Sequence, residues 1–171
     1  MDVEIRKKCR LIKILITDVD GVLTDGGMYY TDKGDIMKKF HVRDGMGVTI
    51  LRKNNISTIL LTKEKTRIVK KWATKMKVAK LYDGIVKKEL LVDEICKKYQ
   101  VKQNELAYIG DDVNDVKIAE SVGFSAVPND GIIQMKNASD YVCKANGGEG
   151  VLREIADLIL TAKYNNTYKL Y

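Results

Sequence analysis

The chain has 171 residues, 45% of them apolar, which suits one domain built around a single core. It holds no stretch long enough to span a bilayer, and the N-terminal MDVEIRKKCR lacks the apolar region of a secretory signal, so membrane and export functions are not expected and a cytoplasmic setting is. The net charge of +7 comes mainly from lysines spread along helices, such as Lys70, Lys71, Lys75, Lys97 and Lys98, with no basic-plus-aromatic platform beside them; nucleic acid is therefore not an expected partner, although a positive field would attract a small anion.

A run that is apolar apart from Lys13 and Thr17 predicts a strand over 11–17, and two carboxylates, Asp18 and Asp20, follow it directly. In open α/β sheets ligands collect beyond the carboxyl ends of strands, so the pair would stand at the mouth of a site, with Gly21 letting the chain turn away. Alone, the string Asp18-Val19-Asp20-Gly21 also fits a plain polar turn. A hairpin is predicted over 27–40, where Met28-Tyr29-Tyr30 and Ile36-Met37 flank Thr31-Asp32-Lys33-Gly34-Asp35.

A helix over 45–54 and a strand over 56–61 lead to Thr62, just before a helix over 65–76. The Thr62 hydroxyl suits an anion or a helix cap. After a strand over 78–82 and the break Asp83-Gly84, Lys88 opens a helix over 87–99; it can pair with phosphate or simply be solvated. A strand over 106–109 then enters Gly110-Asp111-Asp112-Val113-Asn114-Asp115 and a helix over 113–121. Three carboxylates within five residues repel one another, and a hard divalent cation is the usual compensation; capping by the macrodipole accounts for one Asp more readily than for three.

The remaining elements are a strand over 124–127, a helix over 130–137, a strand over 140–143, and a helix over 149–163 entered through Gly147-Gly148-Glu149-Gly150. Strands alternating with helices predict a three-layer, Rossmann-like α/β sandwich with a mainly parallel sheet, a hairpin insertion after the first strand, and no cap domain. Cys9, Cys96 and Cys143 have neither metal-ligand nor redox spacing, so reduced thiols are expected and a zinc site is not.

The order acid pair, Thr, Lys, acid cluster, each beside a predicted strand end, resembles the haloacid dehalogenase superfamily of phosphatases. That resemblance implies Asp18 as nucleophile and Asp20 as acid/base. It further implies Mg²⁺ held by the side chains of Asp18 and Asp111 and the backbone carbonyl of Asp20, support from Asp112 and Asp115, and phosphate binding by Thr62 and Lys88. Such a division of labour is chemically coherent, because a carboxylate nucleophile splits one hard displacement into two steps while metal and Lys neutralise the transferring group. A phospho-accepting receiver domain fits the order of motifs less well, and a non-catalytic assembly domain would have no use for intact Asp18, Asp20, Lys88 and Asp111.

A closer likeness extends over nearly the whole chain, to the small capless phosphatases of 3-deoxy-octulosonate 8-phosphate and of nine-carbon sialic-acid-type 9-phosphates. It is carried by DVDGVLTDG at 18–26, KFHVRDG at 39–45, IGDDVND at 109–115 and GGEGVLRE at 147–154. The likeness implies a homotetramer assembled through the hairpin, with Gly147, Gly148, Arg153 or the tail from Tyr164 to Tyr171 closing a neighbour's site. Leu61-Thr62-Lys63-Glu64-Lys65-Thr66 is similar to the nine-carbon members, so Glu64 points to a sialic acid or deaminated nonulosonate 9-phosphate, with the octulosonate 8-phosphate as the alternative. Lys63 in place of the usual Gly, Trp72 in place of an Arg, and the 41–45 segment all depart from the nine-carbon pattern.

Overall fold

The computed structural model describes residues 1–165 and 167–170, with Asp35 described by its backbone alone. Four apolar runs form the middle of a six-stranded sheet: β1 (Ile14–Thr17), β4 (Ser57–Thr62), β6 (Leu106–Ile109) and β7 (Phe124–Val127). With β5 (Lys80–Asp83) and β8 (Tyr141–Val142) at the edges, the order is β5-β4-β1-β6-β7-β8 and every pairing is parallel. Strands buried on both faces have no need of polar alternation, which is why they read as mainly apolar runs with only Ser and Thr among them.

Alternate residues of those strands feed two cores. Leu15, Leu60 and Ala107 face α1 (Val3–Leu11), α2 (Val42–Lys53), α3 (Arg67–Met76) and α7 (Val151–Tyr164). Ile14, Ile16, Ile59, Leu61 and Tyr108 face α4 (Val92–Tyr99), α5 (Val116–Ala119) and α6 (Ile133–Ala138). The three-layer α/β reading therefore holds. The chain leaves β1 toward one face and β6 toward the other, so a crevice opens between their carboxyl ends.

Several boundaries differ from the sequence reading for physical reasons. The strand expected over 11–17 begins only at Ile14, and the charged N-terminus is helix α1. Asp2 caps that helix by accepting the Glu4 and Ile5 amides at 2.8 and 3.3 Å, and Ile5 and Cys9, one turn apart, pack into the core. Helix α2 starts at Val42 instead of 45, because the His41 ring caps the Arg43 amide at 3.2 Å. Its interior Gly47 lets α7 approach: a Cβ there would stand 2.8 Å from Leu152 Cδ2 and 3.2 Å from Arg153 Cα.

The hairpin forms as β2 (Tyr29–Thr31) and β3 (Gly34–Met37), a separate antiparallel pair that exposes Met28, Tyr29, Tyr30, Ile36 and Met37. The hairpin and α2 use up the chain between β1 and β4, which leaves no cap domain there. Of the tail, Asn166 and Tyr171 lie outside the described residues. Lys169 is tied to Asn54 by two hydrogen bonds, its amide to Oδ1 at 3.0 Å and its carbonyl from Nδ2 at 2.9 Å. Asn54 ends α2 just before β4 begins, so this contact lies at the amino end of the sheet, opposite the crevice.

Asp44, in the first turn of α2, is fully buried and accepts the Arg153 amide at 2.9 Å, while its Oδ2 has no hydrogen-bond partner. Burial pushes its carboxyl from 3.8 up to about 6, against the pull of the Arg153 and Leu152 amides. Between those two values the folded chain keeps a proton on Asp44 that the unfolded chain has released. Its contribution to stability therefore declines as pH rises through that window and is flat above it. Asp44→Asn, which keeps the acceptor and carries no charge, is expected to gain stability relative to the parent by on the order of 2–3 kcal/mol between pH 4 and pH 7. Urea unfolding of both proteins at the two pH values checks this; a difference independent of pH would contradict it.

Candidate active site

Asp18 follows β1 at the carboxyl edge of the sheet, its amide bound to the Ile109 carbonyl of β6 at 2.9 Å and its side chain almost buried. Gly21, at φ +84°, then turns the chain; a Cβ there would lie 2.0 Å from Asp111 Oδ2, so only Gly lets the two acidic loops meet. Asp18, Asp20, Thr62, Lys63, Glu64, Asp111 and Asp112 line one open cavity of about 420 Å³, with Met28 and Val86 among its apolar walls.

Beneath the cavity floor lies a buried charge cluster. The Lys88 ammonium is 3.0 Å from Asp18 Oδ2 and 2.6 Å from Asp115 Oδ1, and the side chains of Lys88 and Asp115 are wholly inaccessible. Tyr108 joins them: its hydroxyl is 3.3 Å from Lys88 Nζ and 2.7 Å from Asp115 Oδ1. Burial alone would lower the Lys88 pKa, but the charges of Asp18 and Asp115 raise it above the ordinary lysine value, so the ammonium stays charged.

Carboxylate oxygens of Asp18, Asp111 and Asp115 lie within 4.8 Å of one another. Asp115, however, is already saturated. Its Oδ1 serves Lys88 and Tyr108, and its Oδ2 accepts the amides of Asp111 and Asp112 at 2.9 and 3.4 Å. That leaves Asp18 and Asp111 as the pair able to ligate. Burial, then the charges of Asp18, Asp115 and Asp112, push the Asp111 carboxyl up to about 8, and burial also raises Asp18 against the pull of Lys88. One lysine does not balance this many carboxylates. An all-oxygen donor set short of positive charge fits a hard divalent cation.

The other sequence candidates sit as follows. Thr62 ends β4 buried at the cavity, and its Oγ1 accepts the Glu64 amide at 3.2 Å. Glu64 and Lys63 are exposed at the rim, and Lys63 is absent from the residues with positive φ, so the lysine fits the backbone where a glycine was the expected residue. Trp72 is away from the cavity, stacked on Phe40 at 4.9 Å. Gly147 and Gly148 lie against this chain's own 21–25 loop: a Cβ on Gly147 would stand 2.2 Å from the Gly21 carbonyl oxygen, and the Gly148 amide donates to Val22 O at 2.9 Å. Arg153 pairs with Asp157 at 2.9 Å, outside the cavity.

Sequence reasoning passed over Tyr108, Thr24 and Lys38. Tyr108 looked like one more apolar strand residue, although a phenol inside a buried run needs a polar partner and so carried a signal. Lys38 had none, being one of thirty basic residues.

Residues 48–155, which include Thr62, Lys88 and the 110–115 turn, match the model of the haloacid dehalogenase-like hydrolases. The chain belongs to this family. Among relatives of this hydrolase, the 3-deoxy-D-manno-octulosonate 8-phosphate phosphatase of Haemophilus influenzae is 37% identical over 158 residues, 92% of this chain and 88% of that protein. The cobalt-bound structure of the H. influenzae phosphatase superposes with a TM-score of 0.89, covering 91% of each chain at 37% identity. The Moraxella catarrhalis 3-deoxy-D-manno-octulosonate 8-phosphate phosphatase, solved with magnesium, phosphate and KDO, gives 0.91 at 33% identity, covering 95% of this chain and 93% of that one.

Lys88→Met leaves Asp18 and Asp115 buried without their counter-charge. The expected loss of stability of this hydrolase is about 3–5 kcal/mol, as for other buried pairs broken on one side. Urea unfolding at neutral pH measures it, and a loss below about 1 kcal/mol would show that the cluster is not a structural support.

Proposed function

We propose that this chain, working as one domain over 1–171, is a phosphatase of 3-deoxy-octulosonate 8-phosphate. The observation that carries the reading is the pair Asp18 and Asp20 at the end of β1, set over buried Lys88 in a cavity shared with Thr62 and Asp111. The nine-carbon preference drawn from Glu64 gives way here to its alternative. The relatives described above are named for the eight-carbon ester, at 33–37% identity over nearly the whole chain.

In the proposed reaction Thr62 and Lys88 hold the phosphoryl oxygens. An oxygen of Asp18 bonds to phosphorus as the bond from phosphorus to the sugar oxygen breaks, and Asp20 gives its proton to that departing oxygen. Asp20 then takes a proton from water as the water oxygen bonds to phosphorus, which frees the Asp18 carboxylate. Mg²⁺ suits the oxygen set of Asp18, Asp111 and the Asp20 carbonyl, and when bound it supplies positive charge against the transferring group. Asp112, which accepts the Val113 amide at 2.6 Å, and Asp115 support the loop that carries Asp111.

A homotetramer joined through the hairpin is part of the same proposal. An isolated two-strand hairpin is marginal in water, and this one exposes Tyr30 and Ile36 at 60% each, apolar area suited to burial against other copies. A neighbour would also cover the open cavity, where Gly147, Gly148, Arg153 and the tail remain candidates for closing it. A cytoplasmic setting accords with three unpaired cysteines. Among the described residues no helix is long and apolar enough to cross a membrane.

With Mg²⁺ present, Asp18→Asn should lower turnover by about 10³-fold or more, since the anionic nucleophile is gone at nearly constant volume. Steady-state kinetics on purified eight- and nine-carbon esters should give the higher kcat/KM for the eight-carbon one; the reverse order would restore the Glu64-based choice and leave the phosphatase assignment standing. Light scattering at micromolar concentration should report four chains per particle, and an active monomer would count against the assembly.

A further inference from the structure

The two carboxylate oxygens of Asp20 have different surroundings. Oδ1 lies 2.6 Å from Lys38 Nζ and 3.4 Å from the Thr24 hydroxyl, whereas Oδ2 is buried and has no hydrogen-bond partner. The Lys38 side chain is only 1% exposed and reaches the site from the hairpin, one residue after β3 ends at Met37. Two residues further on, Phe40 forms an antiparallel bridge to Thr24 and stacks on Trp72, which anchors the returning strand beside the 20–25 loop.

A carboxylate that first protonates a leaving oxygen and then deprotonates water must present one oxygen at the same place in both steps. A charge-assisted bond to one carboxylate oxygen restrains rotation of the group and so holds its orientation. We propose that Lys38 is a positioning residue whose bond to Oδ1 of Asp20 holds the carboxyl group in one orientation at the cavity. Lys38 touches neither substrate nor phosphorus in this role. The proposal rests on the reading of Asp20 as acid/base given above. In the first step the proton on the Asp20 carboxyl goes to the sugar oxygen as its bond to phosphorus breaks; in the second the carboxylate receives a proton from the attacking water. Since Lys38 stands at the root of the hairpin, the seating of the hairpin also sets the seating of Asp20.

The test compares two esters in single-turnover rapid mixing with Mg²⁺ present. A sugar alkoxide needs a proton to leave, while the nitrophenolate of p-nitrophenyl phosphate does not. Lys38→Met is expected to slow sugar release from the eight-carbon ester by about 10²-fold, the lower end of what a positioned general acid contributes, and to leave the first release of nitrophenolate within about 3-fold of the parent. Lys38→Arg, which keeps the charge, should recover part of the lost rate. If Lys38→Met does not fold, Lys38→Gln takes its place under the same criterion. Equal slowing on both esters, no slowing on either, or an Arg variant as slow as the neutral one would overturn the role of Lys38 while the phosphatase reading stands. A parent enzyme that releases product from neither ester would overturn both.

Discussion

Lys88 holds the carboxyl ends of two strands together. Its ammonium, out of contact with solvent, joins Asp18 at the end of β1 to Asp115 beyond β6. A buried charge is tolerable only when paired and hydrogen-bonded, so the position of each member dictates that of the others. Tyr108 takes up the remaining space from inside β6, and Gly110 lets Asp115 tuck beneath the loop, since a Cβ there would lie 2.5 Å from the Asp115 side chain. With Asp115 spent on Lys88, Tyr108 and two loop amides, Asp111 is left to turn its carboxylate toward the cavity. The electrostatics follow from the same arrangement: Lys88 and Lys38 are set among the more numerous carboxylates of Asp18, Asp20, Asp111, Asp112 and Asp115, and the surplus negative charge is concentrated where a metal and a phosphoryl group would meet it.

A second layer of support comes from the far end of the chain. The Gly147-Gly148 turn lies so close to Gly21 and Thr24 that side chains are excluded, and it leads into α7, whose first turn is capped from outside by Asp44 of α2. Helices α2 and α7 thus brace the loop that carries Asp20 although neither contributes a side chain to the cavity apart from that loop. Burying Asp44 disfavours its charged form, yet the carboxyl satisfies helix amides that would otherwise be orphaned in the interior. The stability of the C-terminal helix and the geometry of the acidic loop are for this reason one problem.

The hairpin occupies the place where a larger lid could have been inserted. It is small and exposed, so in the proposed assembly it would serve as a surface for contact, and Lys38 at its root reaches Asp20. An open cavity weakens every electrostatic interaction within it, and a covering neighbour would strengthen them by excluding water. In the proposed assembly, contact between chains and chemistry would be linked in that way.

The amino-acid sequence by itself determined the alternation of strands and helices, the parallel sheet, and the placement of Asp18, Asp20, Thr62 and Asp111 at strand ends. These features depend on local apolar runs and on residues adjacent to them, which is the range over which sequence pattern carries physical information. Lys88 was visible by its order among the motifs, though its complete burial was not. The start of α1 at Asp2 and of α2 at His41 escaped notice because capping by a single side chain competes with a charged or Gly-containing run that resembles coil. Only the tertiary structure decided that Asp115 is saturated and no longer free to ligate, that Tyr108 is a polar partner inside an apolar strand, that Gly147 and Gly148 press on this chain's own acidic loop, and that Lys38 reaches Asp20. Each of those facts is a contact between segments distant in sequence, and which of thirty basic residues meets which carboxylate is set by where the packed sheet brings them, not by spacing along the chain.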